Sequence, residues 1–183
     1  MSMDCHGHYT TTPPGVADWR DAQKAAIAAD PDHISDKGVM TVSDDEIRES
    51  IETNQLRVQQ ERGTDVTVFS PRASWMGHHV GNASTSQAWT EHCNDLIRRV
   101  CSLFPRNFVP VCQLPQSPQT PIESSIAELR RCVEEMGFIG CNLNPDPSGG
   151  YWKDQPLGDK YWYPLYEVMC ELDVPAMIHV SGA

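Results

Sequence analysis

Positive charge is scarce in this chain: 14 Lys and Arg stand against 25 Asp and Glu, a formal net charge of −11. Nucleic acid is bound through a basic surface, so no nucleic-acid partner is expected. An anionic substrate would have to be drawn by a local Arg or a metal rather than by the overall field. No apolar run approaches the ~20 residues that span a bilayer, so no membrane partner is expected either. A basic n-region followed by an apolar stretch is also missing. His6 falls where that stretch would run, and the expected compartment is the cytoplasm. The seven cysteines (Cys5, Cys93, Cys101, Cys112, Cys132, Cys141 and Cys170) include no C-x-x-C pair. Scattered and odd in number, they read as reduced, buried thiols and not as a zinc knuckle. No Gly-rich loop follows the first strand, which disfavours a dinucleotide-binding fold, and no nucleophile elbow is present.

What the chain does contain is an alternation of strands and helices. A first strand is expected at about residues 2–5, and a helix from Val16 to Ala29 closed by Asp30-Pro31. Ser43-x-x-Glu46 is a capping box. The helix behind it, with Ile47, Ile51 and Val58 on one face, runs to about Glu61 and stops at Gly63. Val66 to Phe69 is a strand of β-branched and aromatic residues. Ser84-x-x-Gln87 opens a helix with Ala88, Leu96, Val100 and Leu103 inward. Phe108 to Leu114 is the third strand. Thr120-Pro121-x-Glu123 caps a helix carrying Ile126, Leu129 and Val133. Phe138 to Leu143, a helix from about Pro164 to Leu172, and Val174 to Val180 complete the pattern.

Strand–helix repeats of this kind build a parallel sheet with right-handed crossovers, and strands this apolar are covered on both faces. The fold class is therefore α/β. Polar residues collect at the strand C-termini, where a (β/α)8 barrel places its active site. Only five strands are counted, and a complete barrel takes ~250 residues. The expectation is an incomplete TIM barrel of about five of eight strand–helix units, with residues 1–183 as the N-terminal part of one barrel domain.

The strongest chemical signal is Asp4-Cys5-His6-Gly7-His8. Residues i and i+2 of a strand share a face, so His6 and His8 aim two imidazoles at one point, and Gly7 allows close backbone approach. His179 ends the apolar run Val174–Ile178 and supplies a third candidate ligand. Three protein ligands with an open position form the pattern of a catalytic zinc, which polarises a substrate oxygen or generates hydroxide near neutral pH. Mn2+ or Fe2+ would also accept these ligands. Asp4 reads either as a support for the first ligand or as an exposed strand start. Arg72, after the second strand, offers a bidentate fork for a substrate carboxylate or forms a surface ion pair. Ser70 and Ser74 flank it as further donors. Asn142 and Asn144 precede a Pro/Gly-rich loop, where they either contact substrate or satisfy turn backbone. Tyr151-Trp152 either covers a pocket or is ordinary packing. His78-His79 reads as loop without metal, because adjacent side chains diverge. His33 and His92 read as surface or helix residues.

Several stretches together resemble the amidohydrolase superfamily. They are Asp4–Thr10, Thr67–Ser74, Leu114–Pro118, Asn142–Gly150 and Pro175–Ser181. The branch is the one related to aminocarboxymuconate-semialdehyde decarboxylase, and within it the 4-oxalomesaconate hydratases. The resemblance implies a metal-dependent hydrolase-like barrel, with His6 and His8 as the first-strand metal pair and His179 as the ligand after strand five. It places Arg72 at a substrate-carboxylate position. No carboxylated lysine has a counterpart, since Asn142 and Asn144 stand there and Lys153 lies further out, which implies one metal. The implied activity is a hydro-lyase that adds water to the unsaturated oxo-tricarboxylate 4-oxalomesaconate in protocatechuate and gallate breakdown. Nonoxidative decarboxylation on the same scaffold is the alternative. Family members carry three more strands with a further histidine and an acidic ligand, so the remaining acid/base residues are expected beyond Ala183. The chain alone is then expected to be a non-competent fragment, a homo-oligomer, or a subunit whose barrel a second chain completes.

Overall fold

A computed structural model describes residues 1–72, 75–118 and 120–180. Ser74 and Ser181-Gly182-Ala183 therefore lie outside the described residues. The strands are β1 (Met3–His8), β2 (Val66–Ser70), β3 (Phe108–Pro110), β4 (Cys112–Gln113), β5 (Cys141–Leu143) and β6 (Ala176–Ile178). All pair in parallel, in the orders β1-β2-β3 and β4-β5-β6. The two ladders form one sheet: Val111 N–H donates to Phe69 O (2.9 Å), Ile139 N–H to Pro110 O (3.0 Å) and Cys112 N–H to Gly140 O (3.1 Å). The expected third strand is thus present with its ladder interrupted at Val111. Counted this way there are five barrel strands.

Helices α1 (Pro14–Ala29), α2 (Asp44–Ile51), α3 (Arg57–Glu61), α4 (Ala83–Leu103), α5 (Ile122–Arg130) and α6 (Tyr163–Leu172) fall between the strands. α4 packs against β2, β3 and β4, α2 packs against α4, and α5 packs against α6. The core between helices and sheet is apolar: Ile47, Ile51, Phe69, Ile97, Val100, Leu114, Leu129, Leu143 and Leu165 are almost fully buried. No helix is long and apolar enough to cross a membrane among the described residues. All seven cysteines are free; five are buried, but Cys5 and Cys170 are exposed, which corrects the expectation of uniformly buried thiols.

Several boundaries differ from the sequence expectations for physical reasons. β1 extends through His8, so the two histidines lie within the strand and not beyond it. Asn82, not Ser84, caps α4: its side chain accepts the Thr85 N–H. At α5 the N-cap position is Pro121, with no side-chain cap. The Ser43 capping box forms as expected. Behind it the helix is not uniformly α. A π-helical turn, Glu52–Leu56, joins α2 to α3. Thr53 Oγ1 donates to Glu49 O (2.6 Å) and Asn54 Nδ2 to Ser50 O (2.9 Å), adding side-chain bonds to the carbonyls at this turn. The inserted residue rotates the helix phase. Val58 is consequently only half-buried, and Gln59 takes the inward position, donating to Asn107 O (3.0 Å).

Candidate metal centre

His6, His8 and His179 converge at the C-terminal end of the sheet. His8 Nε2 lies 2.9 Å from His6 Nε2 and 2.9 Å from His179 Nε2. The three rings stand nearly perpendicular to one another, at 81–82°, with centroids 4.6–4.9 Å apart. Among the described residues they are the one group of three His, Cys, Asp or Glu side chains whose ligand atoms all fall within 4.8 Å of each other.

Each side chain is delivered by its strand. β1 carries a bulge: Asp4 pairs with Thr67 but Gly7 with Phe69, so three steps on β1 match two on β2. The extra residue shifts the strand's alternation between Asp4 and His6. Asp4 therefore does not support an imidazole; its Oδ1 accepts the His6 N–H (3.0 Å) and holds the bulge. Gly7 sits where a Cβ would lie 2.2 Å from Thr67 Cγ2, so only glycine lets β1 approach β2 here. At the other edge, His179 N–H donates to Leu143 O (2.8 Å), continuing the β6 ladder to the ligand itself.

The proton on His8 follows from its neighbours. Pro71 O, 3.2 Å from Nδ1, can only accept. Ser70 Oγ, 2.7 Å from Nδ1, already has Gly7 O as an acceptor for its own proton (3.1 Å). Nδ1 therefore carries the hydrogen and Nε2 presents a lone pair to the cluster, the usual way a second hydrogen bond orients a metal-binding imidazole. Burial, then the neighbouring His179 and His6, push the His8 pKa down to about 4. His179 is also lowered, first by burial and then by His6. Three imidazoles with Nε2 atoms aimed at one point, two of them held toward the neutral form, match the donor chemistry of a divalent metal with open positions.

The other expected residues divide. Ser70 is buried behind His8. Arg72 is exposed, with its guanidinium 5.7 Å from the Trp75 ring centroid and its charge felt at His8; it makes no ion pair among the described residues. Asn142 lines a cavity of about 250 Å³ on the open face of the sheet, shared with His6, Ser70, Val111 and Met177. A second groove of about 330 Å³ lies along β1 against Asn54 and Arg57; it includes His8 but neither His6 nor His179. Asn144 serves the loop: its Oδ1 accepts the Asp146 N–H (3.0 Å). Gln116 clamps the same loop, accepting the Asn144 N–H (2.9 Å) and donating to Asn144 O (3.3 Å). Tyr151 and Trp152 are exposed, and Lys153 lies over the Tyr151 ring.

Two histidines lie where the sequence places them, in a loop and in a helix, but both are buried. His92 is in a helix, as one of the two alternatives had it, but it is buried and stacked on Trp19 at 4.6 Å. His78 is buried too, with Nδ1 accepting the Gln116 N–H at 3.4 Å, while His79 is exposed.

Residues 3–182 match the family model described as Amidohydrolase. Over all 183 residues the chain is 59% identical to the 2-keto-4-carboxy-3-hexenedioate hydratase of Sphingobium sp. (strain NBRC 103272 / SYK-6), covering 53% of it. It superposes on the crystal structure of 4-oxalomesaconate hydratase from Rhodopseudomonas palustris with a TM-score of 0.88 at 50% identity, over 99% of this chain and 53% of that one. A dihydroxybenzoic acid decarboxylase from Polaromonas sp. JS666, solved with bound manganese and 2-nitroresorcinol, aligns with a TM-score of 0.65 at 21% identity, over 98% of this chain and 49% of that one; this likeness shows the shared fold alone. The chain spans about half the length of the relatives it matches.

Proposed function

Because the chain belongs to the amidohydrolase family, we propose that it carries the metal-binding half of a hydro-lyase that hydrates 4-oxalomesaconate in the breakdown of aromatic compounds. The observation that carries this reading is the 59% identity to a hydratase along the entire chain. The decarboxylase relatives are more distant, at 28% identity over 136 residues for a gamma-resorcylate decarboxylase. The metal we propose is one divalent cation held by Nε2 of His6, His8 and His179. Zinc suits three imidazoles, and manganese is the ion bound in the decarboxylase of the same fold.

When bound, such a cation supplies Lewis-acid stabilisation of negative charge on a substrate oxygen. The chain's own residues would prepare the site. Ser70 and Pro71 hold His8 with its lone pair forward. Arg72 provides a bidentate anchor for a substrate carboxylate, a local positive charge in a chain that is acidic overall. Asn142 faces the cavity as a neutral hydrogen-bonding group, and Asn144 shapes the loop beside it. The proposed partners are a small carboxylate substrate and either further copies of this chain or a chain that completes the barrel, in a cytoplasmic setting.

The test is metal analysis together with product identification. The tag-free protein is expected to retain about one equivalent of divalent metal, and His6→Ala/His8→Ala to lose it. With 4-oxalomesaconate, NMR is expected to show water added across the C=C bond in a preparation with a completed barrel. Release of CO2 without hydration would sink the hydratase reading, and equal metal in the double variant would sink the ligand assignment.

A further inference from the structure

Gln113, at the end of β4, is 2% exposed, yet neither Oε1 nor Nε2 of its side chain has a hydrogen-bond partner among the described residues. Buried carboxamides are ordinarily satisfied, so a doubly orphaned one points to a group that arrives from outside the chain. Its direction follows from register. Gln113 pairs with Asn142, which pairs with Met177, and residues in lateral register share a face. Asn142 and Met177, together with Val111 two residues earlier on the same strand, line the cavity that contains His6 and Ser70. Gln113 therefore belongs to that face, beside the lining residues though not itself one of them.

Its backbone is mounted with unusual firmness. Asn94 of α4 accepts the Gln113 N–H (3.0 Å) and donates to the Gln113 carbonyl (2.9 Å). The same Asn94 amide donates to Glu128 Oε1 (2.7 Å), and Arg131 grips Glu128 through two bonds of 2.7 and 2.8 Å. The backbone of this residue is thus fixed by two helices while its side chain is left unpaired. That is the arrangement of a preorganised binding group, held in place before its ligand enters.

We propose that the Gln113 carboxamide is a substrate-binding group, donating Nε2–H to a carboxylate or carbonyl oxygen of a polycarboxylate bound in the cavity beside His6. The inference rests on the proposed reading of the site, to which it adds a second anchor, neutral and more deeply buried than Arg72. Leucine has nearly the same shape as glutamine and needs no partner, so Gln113→Leu separates binding from packing. The probe is tricarballylate, a saturated tricarboxylate, titrated calorimetrically into the metal-loaded full chain. Gln113→Leu is expected to weaken its affinity at least tenfold without lowering Tm. In the 15N-labelled wild type, the side-chain amide pair that disappears in Gln113→Leu is expected to shift as the probe is added. Affinity within twofold of wild type, an unmoved amide pair, or no binding by wild type would each overturn the proposal. A lower Tm with unchanged affinity would also overturn it, by showing that the amide merely holds an internal water. Absence of 4-oxalomesaconate hydration overturns the hydratase reading alone, because the binding experiment does not depend on turnover.

Discussion

At the scale of single residues, the metal centre depends on how closely two backbones approach. A Cβ at residue 7, in the strand that carries two of the three candidate ligands, would meet Thr67 Cγ2 of β2 at 2.2 Å. Overpacking of this kind typically costs about 1–3 kcal/mol. Gly7→Ala is therefore expected to lower stability in urea denaturation by that amount and to reduce metal content. Thr67→Ser removes the clashing methyl and keeps the hydroxyl that faces Gln59 Nε2. At least half the loss is expected to return in the Gly7→Ala/Thr67→Ser pair, and no recovery would show that the strain lies elsewhere. Gly7 and the two histidines were legible in the sequence as a unit. The use of Ser70 was not: the chain order places it beside Arg72, whereas the fold turns its hydroxyl onto His8.

At the scale of elements, helix starts show how far local signals reach. The Ser43 box is entirely local, within four residues, and forms as read: Glu46 N–H donates to Ser43 Oγ and Ser43 N–H to Glu46 Oε2. The Ser43 backbone N–H, and next its hydroxyl, hold the Glu46 carboxyl below its ordinary range. Ser43→Ala is expected to cost about 1 kcal/mol, the usual worth of an N-cap, as measured by denaturant midpoint at constant m. A cost within error of zero would mean that tertiary packing alone fixes the start of α2. The π-helical turn behind it was not legible. Ile47, Ile51 and Val58 fit a regular α-helix, and the inserted residue is stabilised by Thr53 and Asn54 bonding to carbonyls and by Gln59 reaching Asn107 in a distant segment.

For the molecule as a whole, buried neutral histidine sets an acid limit. Burial, and then the neighbouring His79, push the His78 pKa down to about 4 from an ordinary 6.5. The folded state thus favours the neutral ring over the charged one. This contribution is fully present above pH 6.5 and is lost as pH falls from there toward 4, by at most about 3 kcal/mol. His92 is shifted the same way, chiefly by burial. Stability by denaturant unfolding is expected to drop between pH 7 and pH 4.5, and His78→Gln to flatten part of that slope. An identical slope in the variant would assign the acid sensitivity to other groups. His78 lies in a loop, as its sequence context implies; its burial was not legible there, because Gln116, 38 residues away, packs against it.

The alternation of strands and helices, the five-strand count, the parallel order and the pairing of His6 with His8 were all legible along the chain. These follow from periodicity, capping and side-chain alternation, which act over a few residues. The sequence also placed His179 at a strand end, since an apolar run stopping at a polar residue is a local pattern. The meeting of three Nε2 atoms came from the assembled fold, because it requires β1 and β6 to curve toward one point across 171 positions of chain. The fold likewise decided that Asp4 turns away from the cluster, through a bulge defined only by pairing with β2, and that Gln113 lies buried without a partner. Burial and register belong to the assembled sheet, and no window of sequence contains them.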